Sequence, residues 1–106
     1  MENSIYLEIS QERENQIEKW GNTSHPSVNT MILPHNSLEI PSESRARFLC
    51  QTAFKNGYGT WAHILSEEFS EVVFAKNEEL RRKELVQLAA CCVAWIKDID
   101  NQQKQL

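Results

Sequence analysis

Turn-forming residues are scarce in this sequence, which has three glycines and three prolines among 106 residues. A sandwich or barrel of short strands needs a turn signal about every 8–12 residues, so long helices with few connections are favoured instead. Cysteine is scarce too. Cys50, Cys91 and Cys92 form an odd set without a C-x-x-C spacing, which argues against a disulfide framework and suits the reducing cytoplasm. No basic segment followed by an apolar stretch opens the chain, so no signal peptide is read. The longest apolar run, Leu88 to Ile96, falls far short of the ~20 residues that span a bilayer. Basic charge is in deficit: eleven Lys and Arg against fifteen Asp and Glu give a formal net charge of −4. Nucleic-acid backbone binders carry a basic patch, so neither nucleic acid nor membrane is expected as a partner.

What is present is helical periodicity. Residues 4–20 place Ile5, Ile9, Ile17 and Trp20 at roughly helical spacing, and Gly21 ends the segment. Residues 21–41 hold all three prolines, His25 and His35, and no periodicity. They read as a long loop between helices 1 and 2: a lid or binding loop, or an excursion packing Met31, Ile32 and Leu33 on the core. Ser42 to Asn56 resume helical character, with Phe48, Leu49, Thr52 and Ala53 on one side. Gly57-Tyr58-Gly59 breaks that helix, and Thr60 suits the N-cap of a third, 61–76. Asn77 interrupts again, and Glu78 and Glu79 complement the dipole of a fourth, 78–100, with a frayed polar tail after it. The middle of this last helix is apolar on every side, which calls for a tight bundle or a second subunit. The expectation is one all-α domain over residues 1–106. An apolar fraction of 41% is lean for so short a chain and also favours an oligomer.

Several carboxylates fall on the wrong face. At ~100° per residue, Trp61, Ile64, Leu65, Val72 and Ala75 define an apolar stripe, with Glu68 in its middle, Glu71 at its edge and Glu67 alongside. Glu84 lies among Leu80, Leu88, Cys91 and Trp95, and Gln87 follows one turn on. Glutamate is rarely buried unless it is paired or holds a metal. A break at Asn77 folds the two helices back as an antiparallel hairpin over residues 60–100, so Glu71 faces Glu84 and Glu68 faces Gln87. Like charges that close need a cation, and an all-oxygen donor set suits Mg²⁺ or Mn²⁺. Residues at i and i+3 point the same way, which gives two ligands per helix.

The string Glu67-Glu68-x-x-Glu71 … Glu84-x-x-Gln87 is similar to the E-E-x-x-E … E-x-x-D signature of MazG-like nucleotide pyrophosphohydrolases. Trp61-Ala62-x-Ile64-Leu65, the run from Glu84 to Ile96, and Glu18-Lys19-Trp20-Gly21 before His25-Pro26 also resemble that group. The resemblance implies a four-helix MazG-like bundle that assembles as a homodimer or homotetramer. It implies Mg²⁺-dependent hydrolysis of a nucleoside triphosphate to the monophosphate and pyrophosphate. Glu68, Glu71 and Glu84 would hold the metal, and Glu67 would be an outer ligand or orient the attacking water. The position of the final Asp is Gln87 here, which offers a carbonyl oxygen to the metal but no charge. Hydrolysis at the α-phosphorus asks mainly for positioning and charge stabilisation, which such a site supplies.

Around that site Lys76 and Lys83 are expected to bind substrate, with Lys55, Arg81 and Arg82 as further rim cations. Trp20 either stacks on a base or packs the end of helix 1. His63 is read as projecting from the polar side of its helix without a role in the site, and His25 and His35 as loop histidines. Two other readings stand beside the enzyme. One is a catalytically weak or inactive nucleotide- or metal-binding protein with a regulatory or structural role. The other is an oligomeric helical module whose buried glutamates pair with Lys or Arg across an interface.

Overall fold

Five short signals in the chain set where its helices begin and end. Gly21 takes φ +74° and its N–H returns to Ile17 O at 2.7 Å, closing the first helix, α1 (Glu2–Trp20). Ser42 Oγ accepts from Arg45 N at 3.2 Å and opens α2 (Glu43–Lys55). Past Asn56, Gly57 takes φ +83°, and the N–H groups of Gly57 and Tyr58 return to Phe54 O and Ala53 O. That is a Schellman closure, and its left-handed position is one that glycine fills without strain. Thr60 opens α3 (Trp61–Val73) through a reciprocal capping box with His63. Asn77 Oδ1 accepts from Leu80 N at 2.8 Å and opens α4 (Glu78–Lys104).

The computed structural model describes residues 2–28 and 39–104, and these form four helices with no strand. No helix among them is long and apolar enough to cross a membrane. The expected packing of Met31, Ile32 and Leu33, and the role of His35, lie outside the described residues. By contacts the chain divides into two compact units, one of residues 1–26 and 93–106 and one of residues 27–92. The first contains α1 and the second half of α4, with Ile5 and Val93 buried. The second contains α2, α3 and the first half of α4, and with them Glu67, Glu68, Glu71 and Glu84.

Three local expectations are corrected. α3 ends at Val73 rather than Lys76, and α4 runs on through 101–104, where a frayed tail was expected. The polar tail carries neither glycine nor proline, so nothing in it stops the helix. The buried side of α2 is Ala46, Cys50 and Ala53, whereas Phe48 and Leu49 are exposed. Residues at i, i+4 and i+7 form one face, and three small side chains there let α3 come close. Ser70, fully buried on α3, returns its hydroxyl to Glu67 O at 2.7 Å and so enters the seam without an unmet donor.

The turn between α3 and α4 is held from within. α3 has no cation in its own last turn, and Arg81 of α4 supplies one. Its Nε donates to Val72 O at 2.9 Å, and its Nη2 to Ala75 O at 3.1 Å and Val73 O at 3.4 Å. Glu78 pairs with the same guanidinium and accepts from Ser27 Oγ at 2.5 Å. Arg81 is thus a buried clamp on the α3 C-terminus and not the free rim cation that its sequence position suggests.

Within each unit the apolar surface of the long helices is covered only in part. Leu80, Leu85 and Val86 of α4 are exposed in the second unit. In the first, Ile96 and Ile99 of α4 are exposed, as are Tyr6, Leu7, Ile9 and Ile17 on α1.

Candidate functional site

Folding back at Asn77 places α3 and the start of α4 side by side, and the expected convergence of acids follows. Glu68, Glu71 and Glu84 each offer a carboxylate oxygen, and the three atoms lie within 4.8 Å of one another. All three residues are half-buried. Glu68 Oε2 and Glu84 Oε2 are fully shielded and have no hydrogen-bond partner. A buried carboxylate oxygen without a donor costs more than ~1–3 kcal/mol, because the group is charged. Leaving two such atoms beside each other is unfavourable unless a proton or a cation satisfies them.

The titration of the cluster carries the same strain. Burial pushes the Glu71 carboxyl up to about 7 from an ordinary 4.5, helped by a hydrogen bond shared with Glu84 and by the charges of Glu68, Glu84 and Glu67. Burial likewise raises Glu68, with Glu84 and then Glu67 adding to it. A donor set of oxygens alone, with orphaned atoms facing inward and like charges crowded together, fits a hard divalent cation. Glu68, Glu71 and Glu84 are the residues that would hold it.

This strain has a measurable consequence in metal-free protein. Between pH 4.5 and 7 the folded chain keeps a proton on Glu71 that the unfolded chain has released. Stability therefore falls as the pH rises through that window and levels off above it. The full shift sets an upper bound, and the partial exposure of Glu71 reduces the expected loss to about 2 kcal/mol between pH 5 and pH 8. Urea denaturation with chelator present measures it, and Glu71→Gln should flatten the profile. A metal-free protein that grows more stable over this range would contradict the crowding.

Other residues border the cluster. Arg47, on α2, was not singled out by the sequence; its Nε lies 3.8 Å from Glu67 Oε1 and its Nη2 3.9 Å from Glu71 Oε1. Burial, and then Glu67 and Glu68, pushes the Cys50 thiol up; burial, Glu68 and Cys92 do the same to Cys91. Such thiols stay protonated and do not supply a nucleophile. Gln87 is exposed on α4, one turn beyond Glu84. Lys76 and Lys83 are exposed, and the ion pairs described for the cluster come from Arg47 rather than from either lysine. Trp20 belongs to the other compact unit; it is 62% exposed, with the Lys19 ammonium 4.9 Å over its ring. His63 has a structural role that the sequence does not show: its Nδ1 accepts from the Thr60 N–H at 3.2 Å and completes the cap of α3. Thr60, Leu65 and Glu68 are visible in sequence as cap, stripe and misfit, but a histidine in the capping-box place of Glu or Gln carries no such signal.

A shallow groove of about 170 Å³ runs between α2 and α3 past Ala46, Leu49, Cys50, Ala62, His63 and Ser66. It is smaller than the ~300–1,000 Å³ of most ligand sites, so it does not enclose a nucleotide by itself. Comparison of the chain with family models, with curated proteins and with solved structures finds no match in any of the three.

Proposed function

We propose that this chain is a divalent-cation-dependent nucleotide pyrophosphohydrolase, converting an NTP or dNTP and water to the monophosphate and pyrophosphate. The observation that carries the reading is the convergence of Glu68, Glu71 and Glu84, with the orphaned buried oxygens of Glu68 and Glu84. The similarity of Glu67-Glu68-x-x-Glu71 … Glu84 to the MazG-like signature supports it. Glu68, Glu71 and Glu84 would hold Mg²⁺ or Mn²⁺. The ion, when bound, supplies charge neutralisation and polarisation of phosphoryl oxygens in a site that is otherwise acidic.

The remaining work falls to the chain's own residues. Glu67 lies outside the three converging oxygens and is partly exposed, so its carboxylate can reach water. It orients the attacking water and takes its proton as the oxygen bonds to the α-phosphorus. The bond from the α-phosphorus to the bridging oxygen breaks, and pyrophosphate leaves with that oxygen. Half-burial of the cluster keeps bulk water from screening the charges that develop there.

The working unit is a homodimer or homotetramer. The support is the uncovered apolar surface of α4 and α1, with Val86 at 57% and Leu7 at 69% exposure in the single chain. Sedimentation equilibrium should return a dimer or tetramer at micromolar concentration, and a monomer there would remove this part of the reading.

The test of the activity is pyrophosphate release from a panel of NTPs and dNTPs in Mg²⁺ or Mn²⁺, repeated with Glu71→Gln and Glu84→Gln. The exposed, uncharged Gln87 favours a second reading, a nucleotide- or metal-binding protein of weak or no activity. Cation binding without hydrolysis, with activity gained by Gln87→Asp, would select it.

A further inference from the structure

Arg47 sits at an unusual place for a surface cation. Ala46, its neighbour, is buried in the seam between α2 and α3, so Arg47 leaves α2 at the edge of that seam. From there it reaches Glu67 and Glu71, which are four residues apart on one face of α3. Its side chain is 47% exposed. Neither contact is a hydrogen bond: at 3.8 Å and 3.9 Å the guanidinium stands off both carboxylates. Ion pairs of that length and exposure contribute little to stability. A planar fork with five donors is thus held over the acidic cluster by charge and is not saturated by it.

The other cations of this region are placed differently. Arg81 is occupied by three carbonyls and Glu78, and Lys76 and Lys83 are exposed without a pairing to the cluster. A polyphosphate approaching four glutamates meets repulsion unless positive charge is arranged beside them. A guanidinium matches paired phosphate oxygens with two parallel N–H donors, and the two separate carboxylates do not offer it such a pair of acceptors here. Were Glu71 to hold a cation, Arg47 would keep its donors free for phosphate oxygens.

We infer that Arg47 is the substrate-binding residue that α2 contributes to the site, taking phosphate oxygens of a nucleotide's polyphosphate chain beside the cation held by Glu68, Glu71 and Glu84. The inference rests on the proposed nucleotide hydrolysis for the identity of its ligand. Arg47 does not hold the metal, and its removal should leave the acidic cluster intact.

Calorimetry with the full chain separates these roles. Mg²⁺ alone is titrated first, then inorganic tripolyphosphate in excess Mg²⁺, for wild type, Arg47→Ala and Arg47→Lys. The expected result is unchanged or slightly tighter Mg²⁺ binding in Arg47→Ala and at least tenfold weaker tripolyphosphate binding. Arg47→Lys, which keeps the charge but loses the fork, should recover only part of it. In the hydrolysis assay KM for the triphosphate should rise about tenfold in Arg47→Ala while kcat changes far less. Tripolyphosphate binding equal to wild type, or loss of Mg²⁺ binding together with it, overturns the assignment. So does a wild type that binds no polyphosphate. Wild-type hydrolysis with unaltered KM in both variants would refute Arg47 and leave the hydrolase reading standing. Arg47-dependent tripolyphosphate binding without hydrolysis of any nucleotide would refute the hydrolase and leave Arg47 in place.

Discussion

Glu84→Gln should slow pyrophosphate release by about 10²–10³ while making the metal-free protein more stable. The two effects have one origin. In the absence of a cation Glu84 contributes repulsion toward Glu68 and Glu71 and a buried oxygen that no donor reaches. Glutamine keeps the volume and removes the charge, so the folded chain sheds an unfavourable interaction worth about 1 kcal/mol or more. In the working state the same carboxylate is a ligand, and its loss removes charge where the transition state needs it. Removing one electrostatic contributor of this kind costs about 10²–10³ in rate, or roughly 3–4 kcal/mol of transition-state stabilisation. Thermal unfolding with and without Mg²⁺ checks the first half and the pyrophosphate assay the second. In wild type, cation at a hundredfold excess over its Kd should add about 2.7 kcal/mol, and in Glu84→Gln that increment should shrink. If the glutamates were structural partners of Lys or Arg across an interface, Glu84→Gln would destabilise the protein in either condition. That outcome would remove the metal reading and the hydrolase with it.

Much of this site is legible in the sequence because its logic is local. Glu68 is a misfit in a stripe made by Trp61, Ile64, Leu65 and Val72, and Glu84 is a misfit four residues from Leu80 and Leu88. A single break at Asn77 is enough to mirror one helix onto the other, so the pairing of Glu71 with Glu84 follows from counting. The caps are local too: Gly21, Gly57, Thr60 and Asn77 each act within a few residues of where they stand.

What escapes the sequence is set by packing between segments distant along the chain. Phe48 and Leu49 look like the core of α2 by size, yet the seam selects Ala46, Cys50 and Ala53 because close approach to α3 needs small side chains. Arg47 is invisible for the same reason: its position over Glu67 and Glu71 exists only once that seam has formed. The end of α3 at Val73 has no glycine to mark it, since the cation that caps it arrives from eight or nine residues further on, in the next helix. Arg81, Arg82 and Lys83 read alike in sequence as cations at the rim of the site, yet the first of them closes the hairpin that makes the site.

Arg81→Met tests that closure directly. Arg81 is 8% exposed and donates to Val72 O, Val73 O and Ala75 O, carbonyls at and just past the end of α3, of which Val72 O also accepts from the Ala75 N–H at 3.5 Å. Methionine fills much of the same volume but donates nothing, so three carbonyls lose a donor, Val72 O keeping its backbone one, and Glu78 loses its counter-ion. Buried carbonyls left unmet cost about 1–3 kcal/mol each where water cannot replace the donor, and part of this turn is open to water. The expected loss is about 3 kcal/mol in urea denaturation, large against the ~5–15 kcal/mol by which small domains are stable. The effect should also reach the cluster, because Arg81 fixes the angle at which α4 returns along α3 and hence the approach of Glu84 to Glu68 and Glu71. Mg²⁺ affinity should therefore fall in Arg81→Met although no ligand has been touched, whereas Lys83→Met on the exposed side of α4 should alter neither stability nor Mg²⁺ affinity appreciably. Equal, small effects from both substitutions would mean that the acidic site is held by the helices' own packing and that the clamp is dispensable.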